Sequence, residues 1–333
     1  MSGERKSASG EDLLIERYFK PLATDAGALS LTDDAAILKP GGDDIVVTTD
    51  AIVEGVHFLS DDPADTIAQK ALRVNLSDLA AKGATPAGFV LTLALRSVDE
   101  NWLTAFASGL GTDAGTFNCP LLGGDTVSTP GPVTVSITAF GRIPPDKMVR
   151  RSGARPGDRV VVTGTIGDAA LGLDVLRKGR TAAALAGNAQ AREALISRYR
   201  VPQPRNALAG ALRAYAHAAM DVSDGLAGDL AKLCAASGVS AIIEVPAIPL
   251  SSAAKAALAG GAAGIETLIS GGDDYEILCA VPERGFEEFA RAAATAGVAV
   301  SSIGTIIAKE AVPRFLDETG RELPMSRTSY SHF

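Results

Sequence analysis

Cysteine, aromatic side chains and positive charge are all in short supply in this chain. Its 333 residues include three cysteines, Cys119, Cys234 and Cys279, which stand far apart with no C-x-x-C pair. That spacing excludes a disulfide framework and a paired-thiol metal or redox motif, and it suits the reduced, buried thiols of a cytoplasmic protein. Aromatics make up 5% of the chain against 47% apolar residues in all, and glycine occurs 35 times. A core of that kind rests on Ala, Val, Leu and Ile with close backbone packing. Lysine and arginine number 31 against 39 Asp and Glu, a net charge of −8. A nucleic-acid footprint needs a basic patch or stripe, so that partner is excluded. Phosphate ligands are not excluded, because Mg²⁺ can bridge carboxylates to phosphate oxygens. No segment reaches the roughly 18 apolar residues of a membrane span, so no membrane partner is expected. Met1 to Gly10 is polar and lacks a signal peptide's apolar stretch, so residues 1–10 read as a disordered tail.

Familiar catalytic signatures are missing too. There is no G-x-x-x-x-G-K-[ST], and Gly164-Thr-Ile-Gly167 does not complete a G-x-G-x-x-G. The protein-kinase set and the G-x-S-x-G elbow are absent. His57, His217 and His332 lack metal-ligand spacing. Zinc and nucleophile chemistry therefore have little support.

Strands and helices alternate in both halves, which points to an α/β or α+β class and, by length, to two domains. Helical periodicity covers 11–19, 63–82 and 99–114, with Pro63 near a first turn, Gly83 as a C-cap and Asp99 as an N-cap. Strand patterns cover 45–51, 87–96, 119–123 and 132–143. The stretch from Pro144-Pro145 to Pro156-Gly157 breaks both periods. The expected division is thus a tail 1–10, an N-terminal domain 11–145 and a C-terminal domain 146–333. The second half reads as strands at 158–164, 218–222, 239–245, 275–281 and 299–308. Helices fall near 167–178, 183–198, 204–217, 225–237, 251–260 and 284–296.

What the chain has is aspartate in one recurring setting, beside small residues at strand ends and helix starts. The settings are Asp33-Asp34, Thr48-Thr49-Asp50, Asn75-Leu-Ser-Asp78, Gly123-Gly124-Asp125, Asp221-Val-Ser223-Asp224-Gly225 and Gly271-Gly272-Asp273-Asp274. Taken singly, each serves as well as a cap or turn residue. Together they suit Mg²⁺, which needs hard oxygen ligands, and glycines let a backbone approach phosphate closely. Asp78 lies within an Ala- and Leu-rich helical pattern, where aspartate is a poor helix former. It reads equally as a ligand or as a satisfied buried acid.

In order, the runs DDAAIL, TTDAIVEGVHF, NLSDLAAKGATP, GGDT, RRSGARPGD, VTGTIGDAALGL, DVSDGL and GGDDYEIL resemble the thiamine-monophosphate kinase family. That family is a branch of the aminoimidazole ribonucleotide synthetase-like ATP-binding superfamily. The likeness runs from residue 11 to the terminal YSHF, and VEGVHF with GGDDYE is specific to the branch. It implies a two-domain fold whose N-terminal domain forms a barrel-like sheet in a homodimer, with a C-terminal α/β domain beside it. It implies a cytoplasmic enzyme that phosphorylates thiamine phosphate to thiamine diphosphate with ATP, by direct in-line transfer assisted by several Mg²⁺ ions and with no covalent or general-base residue.

The resemblance also implies roles. Asp34, Thr48, Thr49, Asp50, Asp78, Asp125, Asp221 and Asp224 match Mg²⁺ ligands. Gly124, Asp125, Arg151 and Ser223 match ATP contacts. His57, Asp273 and Tyr330 match substrate contacts. Read without the resemblance, His57 is a core histidine, Arg151 a solvated partner of Arg150, Ser223 a helix cap and Tyr330 C-terminal packing. Thr32 stands where the family often has Gly, and Asp273 where it often has Glu, a shorter reach by one methylene. A selenophosphate synthetase would want an early reactive Cys, and the first here is Cys119; a hydrogenase-maturation relative would want a C-terminal Cys, and this chain ends Ser331-His332-Phe333.

Overall fold

The computed structural model describes residues 13–31, 36–308 and 312–325. The expected tail lies outside the described residues. The chain divides into two compact units, residues 1–75 with 86–142 and residues 76–85 with 143–333.

The first unit opens on a π-helical turn, Ile15–Phe19, where a helix is expected over 11–19. Its sheet has four strands, β1 (Asp44–Val53), β2 (Thr85–Leu95), β3 (Leu121–Ser128) and β4 (Thr134–Ile143), in the order β1-β4-β2-β3. β4 alternates half-buried and buried at every position, the two-residue period of a strand with one covered face. Val46, Ile52, Phe89, Leu91, Leu93, Val135, Ile137 and Ala139 are buried. The other face carries Val47, Thr49, Thr92, Asp125, Val127 and Thr138, with Thr92 opposite Asp125 in the β2–β3 register. Two long helices follow β1 and β2: α1 (Ala64–Ala81) and α2 (Glu100–Thr116). Asp99 caps α2, its carboxylate accepting from Asn101 N at 2.9 Å and Trp102 N at 3.1 Å. Gly83, at φ 73, closes α1, and Ala84 N donates back to Leu79 O at 2.9 Å, a left-handed C-terminal cap.

The second unit holds six strands: β5 (Asp158–Thr163), β6 (Ala218–Val222), β7 (Val239–Glu244), β8 (Glu276–Pro282), β9 (Val300–Ala308) and β10 (Arg314–Leu316). Their order is β10-β7-β9-β5-β8-β6, antiparallel except for β10 on β7. The helices are α3 (Asp168–Leu176), α4 (Arg180–Ala184), α5 (Ala189–Arg200), α6 (Ala209–Tyr215), α7 (Leu226–Ser237), α8 (Ser252–Ala259), α9 (Ile265–Ser270) and α10 (Phe286–Thr295). Val160 and Val162 join a core with Met220, Leu226 and Ile303, whereas Val161 joins another with Ala219, Ile277 and Phe289. β5 is thus covered on both faces, which is why its sequence is a continuous valine run.

Some elements depart from the sequence reading. The helix expected over 183–198 is two helices, because Asn188 Oδ1 accepts from Ala191 N at 3.0 Å and starts α5 afresh. β3 runs on to Ser128 through Gly123-Gly124-Asp125, a triplet that reads locally as a turn. α9 and β10 are too short for any period to reveal.

Candidate functional site

α1 is buried along nearly its whole length, so each polar side chain on it needs a partner. Lys70 Nζ donates to the His57 carbonyl at 2.8 Å. Arg73 forks onto Asp113 at 2.6 and 2.8 Å. Asn75 Oδ1 accepts from Asp50 N at 3.0 Å. Near the end of the helix, Ser77 Oγ donates to Asp221 Oδ2 at 2.9 Å.

That last contact locates an acid pair in the second unit. Asp221 is 7% exposed on the fully buried strand β6. Burial drives its pKa well above the usual carboxylate range, and the neighbouring Asp78 and Asp229 carboxylates push it further; the Ser77 hydroxyl and Lys82 act the other way. Lys82 Nζ donates to Ala219 O at 2.7 Å, two residues before Asp221. Burial lowers the Lys82 pKa, Arg151 adds to that, and Asp221 and Asp78 oppose it. Six polar groups therefore share one electrostatic neighbourhood: Ser77, Asp78, Lys82, Arg151, Asp221 and Asp229.

β6 runs on into DVSDGL, and the GGDDYE loop lies along it. Asp273 N donates to Ser223 O and Tyr275 N to Val222 O, both at 2.8 Å. The close lie needs glycine at 272, where a Cβ would meet Ser223 O at 2.7 Å. Asp273 sits at φ 72, in the left-handed region. Asp224 is paired with Lys232 at 2.6 Å, and the same ammonium reaches the buried Asp229 at 2.8 Å. Ser223 is not the cap of α7, which starts from Gly225 with no side-chain cap.

In the first unit, Asp50 lies on β1 and Gly124 and Asp125 on β3, the two edges of the sheet, with β4 and β2 between them. Thr48 and Thr49 are adjacent on β1, so their side chains point to opposite faces. Thr49 donates to Ile137 O at 3.2 Å and accepts from Thr138 Oγ1 at 3.0 Å. Gly123, Gly124 and Asp125 line a cavity of about 280 Å³ with Phe19, Leu31 and Leu122. His57 Nδ1 accepts from Val53 N at 3.0 Å, so in the neutral ring the proton sits on Nε2. Asp34 and Tyr330 lie outside the described residues.

The sequence reading brought out neither Ser77 nor Lys82, although both lie inside the NLSDLAAK run. The GGDDYE run also carries two buried acids, Asp274 and Glu276, whose partners the sequence reading did not bring out. Asp274, wholly buried, accepts from Gly167 N at 2.7 Å at the start of α3, and burial holds its pKa well above the usual range. Glu276 accepts from Arg205, Arg198 and Thr163. No local signal marks Arg198 or Arg205.

Among the described residues no three His, Cys, Asp or Glu side chains gather closely enough to hold a metal ion. A close pair of hard carboxylates is nevertheless what Mg²⁺ takes when its remaining ligands are waters and substrate phosphates. Asp78 and Asp221 fit that donor set.

The families described as AIR synthase related protein, N-terminal domain, and AIR synthase related protein, C-terminal domain, match residues 32–143 and 155–315. Thiamine-monophosphate kinase of Caulobacter vibrioides is 44% identical over 96% of this chain and 89% of its own. The Salmonella typhimurium enzyme of that name is 40% identical over 98% and 99%. The crystal structure of thiamine-monophosphate kinase from Stenotrophomonas maltophilia K279a superposes with a TM-score of 0.79 at 35% identity, over 91% of this chain and 94% of that one. AaThiL complexed with AMPPCP and TMP gives 0.75 at 29% identity, over 90% and 91%.

Proposed function

The chain belongs to the AIR synthase related family, in its thiamine-monophosphate kinase branch, and from that membership we infer that it transfers the γ-phosphoryl group of ATP to thiamine phosphate. The products are ADP and thiamine diphosphate. The observation that carries this reading is the near-full-length match to enzymes of that one activity, together with a structural relative that holds AMPPCP and TMP.

The chemistry follows from charge. The acceptor is a phosphate monoester oxygen, already anionic near neutral pH because its second pKa is about 6. It needs little general-base help. The obstacle is repulsion between two polyanions, roughly 4 kcal/mol for two unit charges 4 Å apart at an effective dielectric of 20. Mg²⁺ would supply charge neutralisation and would sit on Asp78 and Asp221. Asp34, Asp50, Asp125 and the hydroxyl or carbonyl oxygens of Thr48 and Thr49 are proposed to hold further ions. Asp224 would hold a further ion by exchanging Lys232 for a metal.

Gly124, Asp125, Arg151 and Ser223 are assigned to the nucleotide. Arg151 offers a planar fork to phosphate oxygens, and the bare backbone at Gly123-Gly124 admits phosphate to close range. His57, with its proton on Nε2, would donate to the substrate, and Asp273 and Tyr330 would complete that side.

A homodimer is proposed from the uncovered face of the four-stranded sheet. There Val47 is 57% and Val127 42% exposed among small and hydroxyl side chains, and a second copy would close a barrel-like sheet over them. A cytoplasmic location is proposed from the three free, buried thiols.

The test is an acceptor competition. The purified chain receives ATP with thiamine phosphate, thiamine or an aminoimidazole precursor. ADP with thiamine diphosphate, from thiamine phosphate alone, is the expected result. ADP formed only with another acceptor overturns the reading.

A further inference from the structure

Lys82 stands one residue past the end of α1. Its backbone N donates to Asp78 O at 3.0 Å, continuing the helical pattern, so it is the i+4 neighbour of Asp78 on the same face. Its ammonium ends on Ala219 O at 2.7 Å. β6 is an edge strand of its sheet, paired with β8, where Ala219 sits opposite Cys279. Ala219 turns both backbone groups to the outer edge: its N–H reaches Arg150 O at 2.9 Å, and its carbonyl takes Lys82. Asp221 is two residues on, so its backbone faces the same edge about 7 Å away. A long cationic side chain is thereby tethered beside two carboxylates and the carbonyl end of a helix, three features that each favour a cation.

We propose that Lys82 is a resident cation of the Asp78–Asp221 pair, which offsets their repulsion when no divalent ion is bound and weakens the hold of the pair on such an ion. Lys82 is thus a positioning residue whose charge tunes metal affinity. This rests on the reading of Asp78 and Asp221 as divalent-cation ligands.

The sign of the effect separates this role from a structural tether. A damaged site binds metal more weakly, whereas an acid pair stripped of its counter-charge binds metal more tightly. The experiment uses the full-length protein without nucleotide, in three forms: wild type, Lys82→Met, which keeps length and removes charge, and Lys82→Arg, which keeps charge. Mn²⁺ uptake is read by calorimetry or by the loss of the free-ion paramagnetic resonance signal. Thermal melting is read in EDTA and in saturating MgCl2.

Lys82→Met is expected to bind Mn²⁺ about three- to tenfold more tightly, as the loss of one screened charge implies. It should melt lower than wild type in EDTA, with the gap narrowing in MgCl2, and Lys82→Arg should follow wild type in both. Unchanged or weaker Mn²⁺ binding by Lys82→Met, or a melting deficit indifferent to Mg²⁺, overturns the proposal. If wild type itself takes up no Mn²⁺, the ligand reading is what fails. The EDTA melts then decide the counter-charge role by adding Asp78→Asn. A Lys82→Met deficit that shrinks in the Asp78→Asn background upholds that role, and an undiminished one removes it.

Discussion

The Ser77 hydroxyl donates a 2.9 Å hydrogen bond to Oδ2 of Asp221, a carboxylate 7% exposed and repelled by Asp78. One neutral donor and the nearby Lys82 offset only part of the cost of a buried acid beside a like charge. The fold therefore maintains an acid pair at a cost to its own stability, as ligand sites commonly do. Several measurements follow from that tension and from the packing around it.

Removing either charge should separate activity from stability. Asp78→Asn and Asp221→Asn are expected to lower turnover by about 10²- to 10³-fold, the scale of losing one preorganised electrostatic group. The melting temperature in EDTA should stay level or rise. Steady-state kinetics at saturating Mg²⁺ check this, and near-normal turnover of either variant counts against the site.

The pH dependence of the metal-free protein has a definite sign. Burial and Asp78 raise the Asp221 pKa in the folded state. The folded chain therefore holds a proton that the unfolded chain releases from about pH 4 upward. The contribution of this group to stability is complete below that pH and is lost as pH rises toward the folded pKa. Urea unfolding in EDTA should show stability falling with pH over that window. Asp221→Asn should reduce the slope without abolishing it, since Asp274 shifts in the same direction.

Glu276 is wholly buried and accepts from Arg205 at 2.5 and 2.7 Å, from Arg198 at 2.8 Å and from Thr163 at 2.6 Å. Glu276→Gln would leave two guanidinium groups without their counter-charge. A loss of about 3–5 kcal/mol is expected, the usual result of breaking a buried ion pair from one side. Chemical denaturation measures it, and a loss well under that range would mean that the amide oxygen alone satisfies the guanidinium donors and that the charge of Glu276 contributes little.

The two glycines of the GGD triplet should behave differently. A Cβ on Gly124 would sit 2.0 Å from Leu91 O on the paired strand, whereas one on Gly123 meets nothing within 4 Å. Gly124→Ala is expected to destabilise by about 1–3 kcal/mol or more, as overpacking against backbone does. Gly123→Ala should unfold close to wild type, and paired unfolding curves give the comparison.

The three thiols should be inert in the native protein. Burial pushes Cys119 and Cys279 up to about 12 and Cys234 to about 11. Alkylation by iodoacetamide at pH 8 should follow unfolding and not precede it, which mass spectrometry of native and urea-treated protein can compare.

Much of this molecule is legible residue by residue. The Asp99 cap, the left-handed Gly83, the valine run of β5 and the two-residue period of β4 are local consequences of sterics and burial. The ordered motifs carry the family, so the aspartate-bearing segments stand out from the amino-acid order alone. Short-range pattern fails where two readings are locally equal. Gly123-Gly124-Asp125 has turn composition, yet β2 draws it into a strand.

Only the tertiary structure decided which acids meet. Ser77 and Asp221 are 144 positions apart. Their contact depends on where the end of α1 comes to lie against an edge strand whose place is set by antiparallel pairing with β8. The same pairing turns the Ala219 carbonyl toward Lys82, and strand order puts Asp50 and Asp125 on opposite edges of the other sheet. A local pattern reports the steric and solvent preferences of neighbouring residues, whereas the distance between remote charges is fixed by strand order and register, which follow from packing of the whole core.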